Sequence, residues 1–310
     1  MDIINLEHKN NVNKIYNIDC LQGMRLINDN SIQLTVTSPP YDELRNYNGF
    51  KFNFEDTAKE LFRITKKGGI VVWVVGDSTV KGSETGTSFK QALYFKEIGF
   101  NLHDTMIYEK QNPTPMRGNR YQQCFEYMFI FTKGKPNTFN PIMAKKKYME
   151  NRKVKHYNKN KEGRQLSREY KATNDMKVIH NIWRYSVGLN NSSKDKIAFQ
   201  HPAIFPEKLA EDHILSWSNE GDIVFDPFMG SGTTAKMAAL NNRNYIGFEV
   251  SNEYIMIAEE RIESVYKDFK KCSNCNSDLR WMNDYDDEGI ILRNFDCEKC
   301  EMQYEQSVTI

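Results

Sequence analysis

Residues 223–249 constrain the fold of this chain more than any other stretch. The apolar run Ile223-Val224-Phe225 leads into Asp226-Pro227-Phe228-Met229-Gly230-Ser231-Gly232-Thr233-Thr234. A helix-forming segment runs on to Leu240, and Asn244-Tyr245-Ile246-Gly247-Phe248 then reads as a second strand ending at Glu249. Strand, glycine-rich turn, helix, strand and acid, in that order, belong to an open α/β sheet. The glycines let the backbone approach a ligand closely, and the helix start offers unpaired N–H groups to a carboxylate or phosphate. An acid about 20 residues beyond such a turn suits ribose hydroxyls. The three-glycine dinucleotide spacing is absent. No lysine follows the second glycine, as a phosphate-binding nucleotide loop requires. The pattern therefore indicates a site for an adenosyl ligand.

A second turn lies far upstream. The run from Ile32 to Val36 reads as a buried strand and ends in Thr37-Ser38-Pro39-Pro40-Tyr41. Two prolines cannot continue a central strand, because they lack the N–H that its ladder needs. They fix a stiff, extended turn at the carboxyl end of the strand, where open α/β sheets bind their ligands. The turn offers a hydroxyl, a carbonyl with no competing N–H beside it, and an aromatic face. That combination suits a planar, amino-bearing ring such as a nucleobase.

The remaining pattern alternates. Strands are expected at Lys14 to Asp19, Ile70 to Val75, His103 to Glu109 and Glu126 to Thr132, the last two as an antiparallel pair. Helices are expected from Phe54 to Ile64, with Gly68-Gly69 as its stop, and from Phe89 to Ile98. This alternation predicts a mostly parallel, doubly wound sheet with helices on both faces. No apolar run approaches membrane-spanning length, and the polar segment after Met1 carries no signal-peptide pattern.

The net charge of only +1 conceals a basic block. Between Asn140 and His180 twelve Lys or Arg face four acids, a local charge of +8. Tyr148, His156, Tyr157 and Tyr170 are interleaved with them, as phosphate and base contacts would require. A solvated linker is the alternative reading. At the far end, Cys272-Ser273-Asn274-Cys275 and Cys297-Glu298-Lys299-Cys300 are two C-x-x-C knuckles with 21 residues between them. Four thiolates so arranged predict a structural Zn2+ ribbon over residues 271–310. An amphipathic helix with Ala258, Ile262, Val265 and Phe269 on one face links it to the core. The two other cysteines, Cys20 and Cys124, are expected in sheet segments, and the whole usage fits a reducing cytoplasm.

Together the two turns resemble those of the amino-methylating DNA methyltransferases, in the permuted subgroup often called beta class. That subgroup places S/D/N-P-P-Y early, D-P-F-x-G-S-G-T late, and target recognition between them. Further similarities are Tyr16-Asn17-Ile18-Asp19-Cys20-Leu21-Gln22-Gly23-Met24, Asn112-Pro113 with Glu126-Tyr127-Met128-Phe129, and His201-Pro202-Ala203-Ile204-Phe205-Pro206. The resemblance covers residues 14–266 apart from the middle insertion. It implies a Rossmann-like methyltransferase fold in circularly permuted order: residues 1–139 the catalytic half, 140–180 the basic target-recognition insertion, and 181–266 the cofactor half.

The resemblance also implies roles. The Ser38 hydroxyl and Pro39 carbonyl would accept hydrogen bonds from the amino group of a flipped base, held by the stiff Pro40 turn, with Tyr41 stacked on the ring. Asp226, Pro227, Phe228, Gly230, Ser231, Gly232 and Thr233 would cradle S-adenosylmethionine. Glu249 would take its ribose and Asp19 would lie near its adenine. Taken singly, Ser38 is an ordinary turn serine and Glu249 a surface acid; only the ordered set gives them these roles. Carbon-5 methylation of cytosine is disfavoured, because its cysteine nucleophile follows a proline and no Pro-Cys occurs here. Ser38 and Phe205-Pro206 resemble the cytosine-N4 enzymes, with adenine N6 the alternative. Methylation of a protein glutamine is a distant rival, and a catalytically inactive DNA-binding protein is a rival of another class. The expected partner is double-stranded DNA, with a cognate restriction endonuclease, a monomer and a homodimer all left open.

Overall fold

The computed structural model describes residues 4, 11–40, 52–113, 115, 118–146, 153–171, 175–268, 280–287, 290–297 and 302–308. For 153–159, 165–171, 266–268 and everything from 280 onward it describes the backbone alone. One eight-stranded sheet organises the chain. Its strands are β1 (Lys14–Asn17), β2 (Ile32–Thr37), β3 (Thr65–Val75), β4 (Asn101–Lys110), β5 (Phe125–Thr132), β6 (Ile182–Tyr185), β7 (Ile223–Asp226) and β8 (Asn244–Glu249). In space they run β1-β8-β7-β2-β3-β5-β4-β6. Every neighbouring pair is parallel except the two made by β5, which is antiparallel to both β3 and β4. The mostly parallel sheet and the antiparallel β4–β5 pair expected from sequence are both present.

Among the described residues six α-helices accompany it: α1 (Cys20–Met24), α2 (Phe54–Ile64), α3 (Thr87–Glu97), α4 (Glu207–Trp217), α5 (Thr233–Leu240) and α6 (Asn252–Asp268). Residues of β2 are buried along its whole length, as befits a strand covered on both faces. Successive side chains of β3 alternate between the faces. Val71, Trp73 and Val75 join the cluster formed with α1, α2 and α3, including Met24, Leu61 and Phe95. Their neighbours Ile70, Val72 and Val74 turn to the other face, where α4, α5 and α6 pack against one another. Trp73 is fully buried and its indole N–H donates to Gln91 Oε1 at 2.8 Å, so this donor is not stranded in the core.

Helix α2 shows why the sequence folds as it does. Asn53 accepts from the Asp56 N–H as N-cap, and Glu55 and Asp56 sit in the first turn, where the helix dipole favours acids. Ala58, Leu61 and Ile64 recur at helical spacing on the buried face. Gly68-Gly69 does not stop this helix. The chain enters β3 at Thr65, and the glycines lie inside that strand. Gly68 has φ +81°, and a Cβ there would lie 2.2 Å from Asn137 Cγ. A Cβ on Gly69 would come within 2.9 Å of the Gln33 carbonyl oxygen. The pair therefore serves close strand approach, where β3 meets β2 with a shift in register. A second correction concerns Cys20, which opens α1 rather than lying in a strand. Asp19 Oδ1 accepts from Leu21 and Gln22 N–H at 3.0 and 3.2 Å and so caps that helix.

Residues Pro141–His180 form a second compact unit. In it Met143–Lys145 pairs antiparallel with Met176–Val178, and Lys153–Lys159 with Gln165–Lys171. The longer hairpin turns on Asn160, whose Oδ1 accepts from the Glu162 and Arg164 N–H groups, and on Gly163 at φ +80°. Beyond α6 a three-stranded antiparallel sheet comprises Arg280–Asp287, Ile290–Cys297 and Met302–Val308. Its register pairs Arg280 with Asp296 and Cys297 with Met302. The first strand thus begins at the end of the sheet where the second leaves and the third begins. Cys272, Cys275 and Cys300 lie outside the described residues, and Cys297 is described as backbone alone. The helix linking this sheet to the core buries Ala258, Ile262 and Val265, and Phe269 lies outside the described residues. No described helix is long and apolar enough to cross a membrane.

Candidate functional site

Strands β2 and β7 are parallel neighbours, with Val224 beside Leu34 and Phe225 beside Thr35. Their carboxyl ends therefore emerge side by side, and so do the turns that follow them. Both turns open on one cavity of about 680 Å3. Ser38, Pro39 and Pro40 line it from the first turn; Pro227, Phe228, Gly230, Ser231 and Thr233 line it from the second. Glu249, at the end of β8, and Asp19, at the start of α1, complete that side. Two turns 189 residues apart in sequence are so brought to one site. Tyr41 lies outside the described residues.

Two of the residues singled out from sequence do not line the cavity: Asp226 and Gly232. The Asp226 carboxylate, 1% exposed, points back beneath the turn. It accepts from Thr37 Oγ1 at 2.6 Å, from the Phe228 N–H at 2.9 Å and from Thr234 Oγ1 at 2.8 Å. It ties the end of β2, the turn after β7 and the start of α5 together. Burial raises its carboxyl to about 6, against the pull of these three hydrogen bonds. Gly232, at φ +79°, opens α5 and is pressed on α6, where an added Cβ would lie 2.6 Å from Ala258 Cβ.

Glu249 is held differently. Its Oε2 accepts from the Gly230 N–H at 2.8 Å, and its Oε1 accepts from the Val250 and Ser251 N–H groups at 2.9 Å each. Burial raises this carboxyl too, while the three backbone donors oppose the rise. It is bound to the turn yet still faces the cavity, so its remaining lone pairs can receive a diol. Phe228 packs edge-on to Phe52 at 5.2 Å, giving this side an apolar floor beside its polar groups.

The cavity has walls that the sequence did not announce as site residues. From the carboxyl end of β4 and the start of β5 come Tyr108, Lys110 and Glu126, the last two paired at 2.6 Å. The register of β4 and β5, with Tyr108 opposite Glu126, sets them side by side. Another wall is His201 to Phe205. Its His201 Nδ1 accepts from the Ala203 N–H and its ring meets Tyr254 at 4.4 Å. The His201-Pro202 segment was visible in the sequence as a motif, but nothing in its spacing tied it to a cavity. Cys20 also lines the cavity, with its thiol pushed up to about 12 by burial. At neutral pH it is therefore protonated and a poor nucleophile.

The chain matches the DNA methylase family over residues 32–260. It is 65% identical over 241 residues to the orphan methyltransferase M.BamHII of Bacillus amyloliquefaciens, an alignment spanning 77% of this chain and 91% of that one. With the type II methyltransferase M.BglII of Bacillus subtilis it shares 31% identity, over 81% of this chain and 69% of the relative. Among solved structures it resembles the PvuII DNA methyltransferase (cytosine-N4-specific), with TM-score 0.57, 21% identity, and coverage of 82% and 90%. The TTHA0409 protein of Thermus thermophilus, solved in complex with S-adenosyl-L-methionine, matches with TM-score 0.56, 25% identity, and coverage of 81% and 93%. With two turns converging on one cavity and a family match over most of its length, the chain belongs to the N6/N4 DNA methylase family and is a DNA methyltransferase.

Proposed function

We propose that this methyltransferase uses S-adenosylmethionine to methylate the exocyclic amino nitrogen of a flipped base in duplex DNA, with cytosine N4 as the target. The observation that carries the reading is the shared cavity: Ser38 and Pro39 line it together with the Gly230–Thr233 turn and Glu249. S-adenosylmethionine supplies an electrophilic methyl on a sulfonium. Glu249 would take its ribose hydroxyls, Asp19 and Phe228 would flank its adenosine, and the Gly230 turn would admit it closely. An amino group on a base is a poor nucleophile, because its lone pair is delocalised into the ring. The Ser38 hydroxyl and Pro39 carbonyl would accept hydrogen bonds from its N–H groups and so aim its lone pair toward the methyl donor. The base must leave the duplex to reach them, with Tyr41 stacked on its ring.

The choice of cytosine rests on Ser38 as the first residue of its motif and on Phe205, which lines the cavity ahead of Pro206. Sequencing modified bases in DNA from cells that express the protein tests it. N4-methylcytosine in a fixed sequence context is expected; N6-methyladenine would overturn the base assignment, and unmodified DNA the reading as a whole. The type II name of M.BglII fits a restriction–modification setting for such an enzyme, the orphan name of M.BamHII a solitary one.

The basic unit Pro141–His180 would contact DNA phosphates in the cytoplasm. The last forty residues would hold one zinc ion on Cys272, Cys275, Cys297 and Cys300. The strand register supports this, because the first strand begins at the end of the sheet where the second leaves, and in sequence one C-x-x-C precedes the first strand and the other follows from the end of the second. Elemental analysis should find one zinc per chain, and chelation should unfold mainly this part. A chain free of metal with all four thiols reactive would exclude the site.

A further inference from the structure

We infer that Arg261 is a positioning residue, which clamps the cofactor turn from behind and thereby sets cofactor affinity without lining the cavity. Arg261 lies on α6 and is 1% exposed. Its Nη1 donates to the Ser231 carbonyl, and also to Ser231 Oγ at 3.1 Å and Thr233 Oγ1 at 3.2 Å. Its Nη2 donates to Glu207 Oε1 at 2.7 Å and its Nε to Asp195 Oδ2 at 3.0 Å. Ser231 and Thr233 line the cavity; Arg261, Asp195 and Glu207 do not. One guanidinium thus fastens the turn to two acids that enter from the chain following β6. Those acids flank the His201–Phe205 wall in sequence, so turn and wall share one anchor.

A second cation makes the role separable. Lys236 Nζ, on α5, meets the same two carboxylate oxygens, Asp195 Oδ2 at 2.7 Å and Glu207 Oε1 at 2.9 Å. Its ammonium donates to these acids rather than to the turn, so it shares the charge balance without the grip. Burial alone would raise the Asp195 carboxyl, but the two cations overrule it and hold it below its ordinary value. The Asp195 carboxylate is thus held in its charged form, and the formal charges of the two acids and two cations cancel. Only an arginine can fill the central place. Its planar fork carries five N–H donors in fixed directions, whereas an ammonium is a point charge on a flexible stem. The contact of Ala258 with Gly232, three residues earlier on α6, presses the same helix on the same turn.

This inference rests on reading the cavity as the S-adenosylmethionine site. The test compares full-length Arg261→Gln, Arg261→Lys and Lys236→Gln with the wild type. Calorimetric titration gives the S-adenosylmethionine Kd, steady-state methyl transfer gives KM and kcat, and thermal melts monitor folding. In Arg261→Gln the Kd and KM for S-adenosylmethionine should rise about tenfold or more, with kcat changed by less than about threefold. Lys236→Gln breaks the same ion network, so it should lower the melting temperature while leaving Kd within about twofold. Arg261→Lys keeps the charge and should give an intermediate Kd. It also supplies the result if the glutamine variant fails to fold. Kd values for both Arg261 variants within twofold of that of Lys236→Gln would overturn the inference. A wild-type chain that does not bind S-adenosylmethionine would instead overturn the reading of the cavity, and would do so before any variant is compared.

Discussion

The two turns that face the cavity are built by opposite means. The turn after β7 is tied by a dense set of hydrogen bonds: Asp226 beneath it, Glu249 at its side and Arg261 behind it. The turn after β2 owes its shape to Pro39 and Pro40, which have no N–H to bond and a fixed φ. The first is held by many partners, so losing one loosens the turn. The second is stiff by covalent geometry and presents few groups, so each of those groups counts directly in the chemistry. The comparison implies that damage on the Ser38 side shows in turnover, and damage on the Asp226 side in affinity and stability.

The largest expected effect follows from that contrast. Ser38→Ala should lower kcat on the order of 100-fold or more, the scale of losing one hydrogen bond aimed at a reacting group, and should leave the melting temperature near wild type. Steady-state kinetics and a thermal melt check both halves; normal turnover would remove Ser38 from the chemistry. Next comes Asp226→Ala. It strands the Thr37 hydroxyl and the Phe228 N–H, while the Thr234 hydroxyl keeps the Val36 carbonyl as acceptor at 3.1 Å, at a cost of roughly 3 kcal/mol of stability. Urea unfolding should register the loss, and S-adenosylmethionine affinity should fall with it.

A smaller effect sharpens the role of the same residue. Burial raises the Asp226 carboxyl from 3.8 to about 6, so the folded chain binds this proton more tightly than the unfolded chain does. Its contribution to stability is complete below 3.8, is lost as pH rises through about 6, and is flat above that. Asp226→Asn has no such proton. Its melting temperature should therefore gain on that of the wild type between about pH 4 and pH 7. Parallel profiles across that range would show that Asp226 is not raised. The smallest effect belongs to the basic unit. Neutralising Lys145, Lys146 and Lys147 together should flatten the salt dependence of DNA binding by up to about three units of log–log slope. Binding to all sequences should weaken alike. An unchanged slope would mean that these lysines face solvent.

Much of this site was legible because its signals are local. The Ile32–Val36 run with its proline stop and the Ile223–Glu249 series each declare themselves within thirty residues. What the sequence hid depends on distant partners. Arg261 sits on an amphipathic helix among Glu259, Glu260 and Glu263 and reads there as one more surface charge. Its carboxylates come from 54 and 66 residues away, and no local pattern connects them. Gly68-Gly69 reads as a helix stop because glycines so often end helices. Only the neighbouring strand and Asn137, which occupy the space of a Cβ, explain them. Asp226 was visible as part of a motif, but its direction was not. Whether an acid points at a ligand or under a turn depends on Thr37, 189 residues away and brought near only by the folded sheet, as well as on Thr234 at the start of α5.

The central claim is that one cavity has two separately held halves, one for the cofactor and one for the base. Calorimetric titration of S-adenosylmethionine into Glu249→Ala and Ser38→Ala tests it most directly. The account predicts that the first variant binds at least about tenfold more weakly than wild type and that the second binds within about twofold of it. Equal loss in both variants, or no loss in either, would contradict it.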